Sequence, residues 1–68
     1  MKLSARNQIK GKIVEVRRGA MTSHVLIEII AGARIMASIT NEAVDDLALQ
    51  VGDDAVAVIK ATSVLVGR

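Results

Sequence analysis

Cysteine, proline, phenylalanine, tryptophan and tyrosine are all absent from this chain, and histidine occurs once. Without cysteine there is no disulfide and no thiolate metal site. A lone histidine does not furnish the ligand set of a structural zinc, so no metal cation held directly by side chains is expected. The missing aromatics remove the platforms on which single-strand nucleic-acid binders stack bases, and nucleic acid is not expected as a partner. Nor does any apolar run approach the ~20 residues that span a bilayer, and Met1-Lys2-Leu3-Ser4 shows no signal peptide. The expectation is a cytoplasmic protein without a membrane partner.

What the chain does have is apolar content in excess. Of its 68 residues, 51% are hydrophobic, while a domain of this size buries only roughly 60% of its unfolded surface. With no covalent or metal staple, the surplus finds its simplest destination in self-association, and a homo-oligomer is expected. The net charge of +2 conceals a split. Lys2, Arg6, Lys10, Lys12, Arg17 and Arg18 face Glu15 alone near the start, whereas Glu42, Asp45, Asp46, Asp53 and Asp54 form a later acidic run. Such blocks serve either as complementary surfaces between subunits or as two solvated faces.

Period-2 alternation and turn residues divide the chain into strands and one short helix. Gln8–Arg17 is the first strand, with Ile9, Ile13, Val14 and Val16. Its alternation changes phase between Ile13 and Val14, which predicts a bulge near Gly11 or uneven burial along the strand. Arg18-Gly19-Ala20-Met21 is a turn. Thr22–Ile30 follows, with Val25, Ile27 and Ile29 on one face; Ala31-Gly32-Ala33 closes a hairpin to Arg34–Thr40, which turns Ile35, Ala37 and Ile39 inward. Behind Thr40 or Asn41 as N-cap, Asn41–Leu49 sets Val44 and Leu47 three apart: a helix of about two turns. Gln50–Asp54 is a turn. Ala55–Ile59 is apolar at every position, which predicts burial on both faces and a second subunit over one of them. Val64-Leu65-Val66 reads as a short last strand. The fold class is therefore all-β with one short helix, in the element order of a five-stranded OB-like Greek-key barrel, as one domain over residues 1–68.

Two polar stretches stand at opposite ends of the chain: Ser4-Ala5-Arg6-Asn7-Gln8 and Lys60-Ala61-Thr62-Ser63. Each pairs a fixed cation with small hydroxyl residues and accessible backbone. A compact, multiply charged oxyanion needs that combination, because its charge must be neutralised and several donors must converge on its oxygens. Arg6 and Lys60 supply charge; Ser4, Thr62 and Ser63 are hydroxyl candidates, with Thr62 and Ser63 balanced between capping and binding. Lys60 ends an apolar strand, where a buried ammonium needs a partner; an anion would satisfy it, and Asp54 is the alternative. Asn7 and Gln8 fix the start of the first strand. His24 has no Ser or Cys nucleophile at a motif spacing, so binding and not catalysis is expected.

Taken together, Ser4-Ala5-Arg6-Asn7-Gln8, Gly11-Lys12, Ile39-Thr40, Gly52 and Ile59-Lys60-Ala61-Thr62-Ser63-Val64 resemble the molbindin (Mop) family. These are small molybdate-binding proteins whose TOBE-like domain recurs in molybdate-dependent regulators and transport ATPases. The resemblance spans essentially the whole chain. It implies an OB-like barrel assembled as a hexamer, a trimer of dimers, holding molybdate or tungstate at subunit interfaces. It further implies that Ser4, Arg6, Lys60 and the backbone of Ala61 come from one subunit and Thr40 from its neighbour. Three residues beyond that threonine the family often has a serine; here it is Ala43, whose N–H is left to make a weaker contact. Ser63 joins the oxyanion-binding set as a hydroxyl donor. The Arg18–Ser23 turn is a candidate for the family's second class of oxyanion site, with no ligands assigned.

The expected function is binding and storage of molybdate or tungstate for intracellular molybdenum homeostasis, with the oxyanion as bound ligand and no organic cofactor. Two alternatives come from other classes. One is a carrier of molybdenum cofactor or pterin, against which the absence of an aromatic platform counts. The other is an OB-type nucleic-acid-binding module, against which the same absence and the acidic helix region count.

Overall fold

A computed structural model describes residues 4–68, so Met1 and Lys2 of the sequence reading lie outside the described residues. The chain runs β1 (Asn7–Arg18), β2 (Thr22–Ile30), β3 (Ala33–Thr40), α1 (Asn41–Asp46) and β4 (Asp54–Ile59), then a 3-10 turn over Ala61–Ser63. The strands form one antiparallel sheet in the order β3-β2-β1-β4.

β1 is the strand that shapes the molecule. Its first half, Asn7–Lys12, pairs with β4, and its second half, Lys12–Arg18, pairs with β2. The partners change at Lys12, and the sequence there permits it. A Cβ on Gly11 would stand 2.6 Å from the Glu28 carbonyl oxygen and 2.7 Å from Ile27 Cγ2, so only glycine lets β2 cross this closely. Two residues later the register with β2 jumps from Ile13 to Glu15, which leaves Val14 as the extra residue of a bulge. The predicted change of phase is therefore real and lies beyond Gly11; the glycine serves the close approach, the bulge the re-aiming of side chains. Bent in this way, the sheet curls until its two edge strands, β3 and β4, line opposite sides of an open apolar groove of about 750 Å³.

Inside the curl, Ile13, Val25, Ile27, Val44 and Ala57 are buried, and Ile9, Ile35, Ile39 and Leu49 pack against them only in part. Nothing in this core is larger than isoleucine. The hairpin between β2 and β3 turns at Ala31-Gly32, where Gly32 takes φ 81°. Of the two cap candidates it is Thr40 that caps α1, its Oγ1 accepting from the Ala43 N–H at 3.1 Å. The helix is shorter than expected, at six residues. It stops because the N–H of Ala48 donates to Asp45 and that of Leu49 to Val44, a Schellman closure that needs a left-handed residue. Ala48 supplies it at φ 50°. As a result Leu47 stays 67% exposed where it lines the open apolar groove, and Leu49 makes the core contact instead.

One further expectation is corrected. Val64-Leu65-Val66 forms no strand: Leu65 and Val66 are 91% and 96% exposed. A strand exists only where its N–H and C=O groups meet a partner edge, and the 3-10 turn carries this segment away from both edges of its own sheet. Four strands, not five, are formed by the described residues. Within the single chain β4 buries one face, and Val56 and Val58 on the other face, the one expected to lie under a second subunit, are exposed.

The charge blocks find a partial resolution within the chain. Arg18 holds Asp45, and Lys12 holds Asp54 at 3.0 Å, so basic β1 meets the acidic segment at two points.

Candidate functional site

The register of β1 with β4 decides where the two polar stretches go. Asn7 pairs with Ile59, so the residues before Asn7 and those after Ile59 leave the sheet side by side at the same end. Ser4, Ala5 and Arg6 from one stretch, and Lys60, Ala61 and Thr62 from the other, line a shallow pocket of about 130 Å³. Residues more than fifty positions apart in sequence are brought together by a single pair of strands. Gln8 helps to fix the first stretch, its side-chain amide donating to the Ala5 carbonyl at 3.2 Å.

The second stretch is shaped by its 3-10 turn. The Ser63 N–H donates to the Lys60 carbonyl at 2.9 Å and the Val64 N–H to that of Ala61 at 3.2 Å. That leaves the N–H groups of Ala61 and Thr62, which open the turn, with no acceptor among the described residues. Thr62 lines the pocket and Ser63 does not. The two were indistinguishable by residue type; the turn separates them.

Charge follows the same division. Lys12, Arg17, Arg18 and Arg34 each lie beside a carboxylate, respectively Asp54, Glu15, Asp45 and Glu28. Among the described residues Arg6, Lys10, Lys60 and Arg68 do not, and of these four only Arg6 and Lys60 line the pocket. Lys60 is exposed in the single chain, not buried at the end of its strand as its apolar neighbours suggested, and its alternative partner Asp54 is taken by Lys12. Two unneutralised cations, two hydroxyls and two free N–H groups thus converge on one pocket that holds no carboxylate. Such a surface attracts an anion and supplies it with donors.

Thr40 and Ala43 are not among the residues lining this pocket; they sit where β3 passes into α1. The Ala43 N–H is engaged by Thr40, so it is not a free donor here. The Thr40 hydroxyl, however, has one donor hydrogen and two acceptor sites. Accepting from Ala43 leaves its own hydrogen to give, so capping and ligand binding are compatible at the same time.

At this junction the structure shows residues that the sequence reading passed over. Ser23 is fully buried, and its hydroxyl meets Asn41 Oδ1 at 2.5 Å; Asn41 Nδ2 in turn donates to the Gly19 carbonyl at 3.0 Å. A signal was available: Ser23 shares parity with Val25 and Ile27 on the inward face of β2, and a hydroxyl there must have a partner. This network and the Arg18–Asp45 pair engage the polar side chains Arg18 and Ser23 of the turn considered for a second oxyanion site. His24 is exposed on the outer face of β2, and no cluster of three or more potential metal ligands occurs among the described residues. No helix among them is long and apolar enough to cross a membrane.

Comparison with known proteins bears on the fold and the family. Residues 3–66 match the TOBE domain. Over 67 residues, covering 98% of this chain and 97% of the relative, the sequence is 48% identical to a probable molybdenum-pterin-binding protein of Haemophilus influenzae. Among solved structures, a molybdate-binding protein from Sporomusa ovata superposes with a TM-score of 0.93 at 32% identity, covering 100% of both chains. The cytoplasmic molybdate-binding protein ModG, solved with molybdate bound, does so with a TM-score of 0.84 at 39% identity, covering 90% of this chain and 43% of that one.

Proposed function

The chain belongs to the TOBE domain family, and from that premise we propose that it binds molybdate or tungstate and stores it for molybdenum homeostasis. One observation carries the reading: Arg6 and Lys60, the two cations that the β1–β4 register brings to one pocket, have no carboxylate partner among the described residues. Ser4, Arg6, Lys60, the Ala61 N–H and Thr62 bind from one subunit; Thr40 gives its hydroxyl hydrogen from the neighbour. Ser63 plays a lesser part because it does not line the pocket, and Ala43 because its N–H already serves the helix cap.

The protein acts as a homo-oligomer, a hexamer arranged as a trimer of dimers, with residues 1–68 as one domain. Exposed Val56, Val58, Leu65 and Val66 and the open groove between β3 and β4 support this. In the assembly Val64-Leu65-Val66 finds the edge it lacks in one chain and completes a five-stranded OB-like barrel. The protein works in the cytoplasm as a binder without catalysis, organic cofactor, nucleic acid or membrane partner. ModG, to which it is similar, is a cytoplasmic molybdate-binding protein.

Calorimetric titration with molybdate, tungstate, sulfate and phosphate tests the reading. Saturable binding of the first two, with sulfate much weaker at equal ionic strength, is the expected result; equal binding of all four would reduce the pocket to a generic anion trap. A second reading, a carrier of a molybdenum-bearing pterin, is favoured by the name of the Haemophilus influenzae relative. It predicts that a pterin binds in the absence of molybdate.

A further inference from the structure

Thr40 lies at the one point where β3 ends and α1 begins, and its direction is set by what holds that junction. On the strand side, Thr40 pairs with Thr22 of β2. On the helix side, Arg18 at the end of β1 holds Asp45 of α1, and the bonds next to Thr40 pass through Asn41. Its backbone N–H donates to the Met21 carbonyl at 2.9 Å, and its side-chain amide bridges the Gly19 carbonyl and the buried Ser23 hydroxyl. Chemistry fixes the orientation of that amide. A carbonyl only accepts, so Nδ2 must face Gly19, Oδ1 must face Ser23, and the Ser23 hydroxyl must donate. Asn41 therefore ties α1 to the β1–β2 turn through one backbone and two side-chain bonds, one of them made to a group with no exposure to water.

We infer that Asn41 is a positioning residue for oxyanion binding: by clamping the β1–β2 turn through Ser23 and Gly19, it aims the Thr40 hydroxyl at the ligand of the neighbouring subunit. The inference rests on the site proposed above, to which Thr40 contributes. A helix N-cap needs only the Thr40 oxygen and the Ala43 N–H. Nothing in capping requires the adjacent residue to reach back across the sheet into a buried bond. A donor that must meet an anion across a subunit boundary does require it, because a single hydroxyl gives a useful hydrogen bond only within a narrow range of angle.

A double-mutant cycle read by molybdate calorimetry tests this, with melting temperature recorded in parallel. Asn41→Ala is expected to weaken molybdate binding about tenfold, close to what Thr40→Ala does, since either loss forfeits the same hydrogen bond. In the Thr40→Ala background, Asn41→Ala is expected to change affinity less than about twofold while still lowering the melting temperature. If Asn41→Ala fails to fold, Ser23→Ala, which keeps the bond to Gly19, enters the cycle in its place with the same criterion. Failure of the underlying site is distinguishable: wild-type protein that does not bind molybdate, or Thr40→Ala that binds normally, overturns the site and the inference together. Normal binding by the Asn41 or Ser23 variant when Thr40→Ala is weakened, or equal losses in both backgrounds, overturns the inference alone.

Discussion

The two ends of β1 are built from similar residues and treated in opposite ways. At the Arg18 end the polar groups are answered within the chain. Arg18 Nη1 and Nη2 donate to the two oxygens of Asp45 at 2.8 and 3.0 Å, and Ser23, Asn41 and Gly19 close a network around them. At the Asn7 end, Ser4, Arg6, Lys60 and Thr62 surround a pocket, and none of their side chains makes a hydrogen bond among the described residues. Folding accounts for the Arg18–Asp45 pair, and the Asn41 network beside it is satisfied within the chain while holding Thr40 in place. The second end is in surplus to folding, and the proposed site puts that surplus to use on a ligand.

The contrast predicts a separation of phenotypes, and its largest effect lies at the open end. Lys60→Ala should cost roughly 2–5 kcal/mol of molybdate binding, about 30-fold to several-thousand-fold in affinity, because a desolvated anion loses one of two cations. The ligand-free melting temperature should hardly move. A loss of stability equal to the loss of affinity would place Lys60 in the fold and erase the contrast.

Gly11→Ala strikes the bend on which both ends depend. The new methyl must displace the Glu28 carbonyl or Ile27, and overpacking of that kind costs typically 1–3 kcal/mol. Denaturant unfolding should show the cost directly, and binding should weaken with it, since the β1–β4 register is what aligns Arg6 with Lys60. At the closed end, Ala48→Gly should work in the other direction. It relieves a left-handed φ of 50° and should stabilise by about 1 kcal/mol, raising the melting temperature by about 4–8 °C at fixed protein concentration. Molybdate affinity should stay unchanged.

The smallest effect concerns pH. The hydrogen bonds and charge of Arg18 hold the Asp45 carboxyl below its usual value, and Asp45 holds the Arg18 guanidinium above its own. Because the folded Asp45 is the stronger acid, its contribution is fully present above the unfolded carboxylate value of about 3.9 and is lost as pH falls through the lower folded value. Acid titration of wild type against Asp45→Asn should therefore converge only below that range. Both groups are exposed, so molar salt should shrink the difference; a difference that survives salt would mean the pair is more deeply embedded than its geometry shows.

Most of the fold was legible because period and turn chemistry are local. Thr40 as cap, Ile35, Ala37 and Ile39 inward, and the turns at Gly19 and Gly32 all follow from near neighbours in sequence. The convergence of Ser4–Arg6 with Lys60–Thr62 was legible only through family resemblance, because no local pattern encodes the pairing of Asn7 with Ile59. What escaped depends on partners distant in the chain or outside it. Leu47 and Leu49 compete for one core position, and the Schellman closure decides between them. Val64–Val66 has the composition of a strand and no edge of its own. Thr62 and Ser63 differ only in which way a 3-10 turn faces them.

Arg6 and Arg17 provide the most direct test of the central claim. Both are exposed cations, Arg6 immediately before β1 and Arg17 near its end, and only Arg6 lines the pocket, whereas Arg17 leans on Glu15 at 3.4 Å. Calorimetric titration of Arg6→Ala and Arg17→Ala with molybdate, at equal ionic strength, compares the loss of a ligand with the loss of a charge. The site described here requires at least about a thirtyfold loss for Arg6→Ala and less than about twofold for Arg17→Ala. Equal losses would show that the general positive field of the strand attracts the anion, and that the pocket does not.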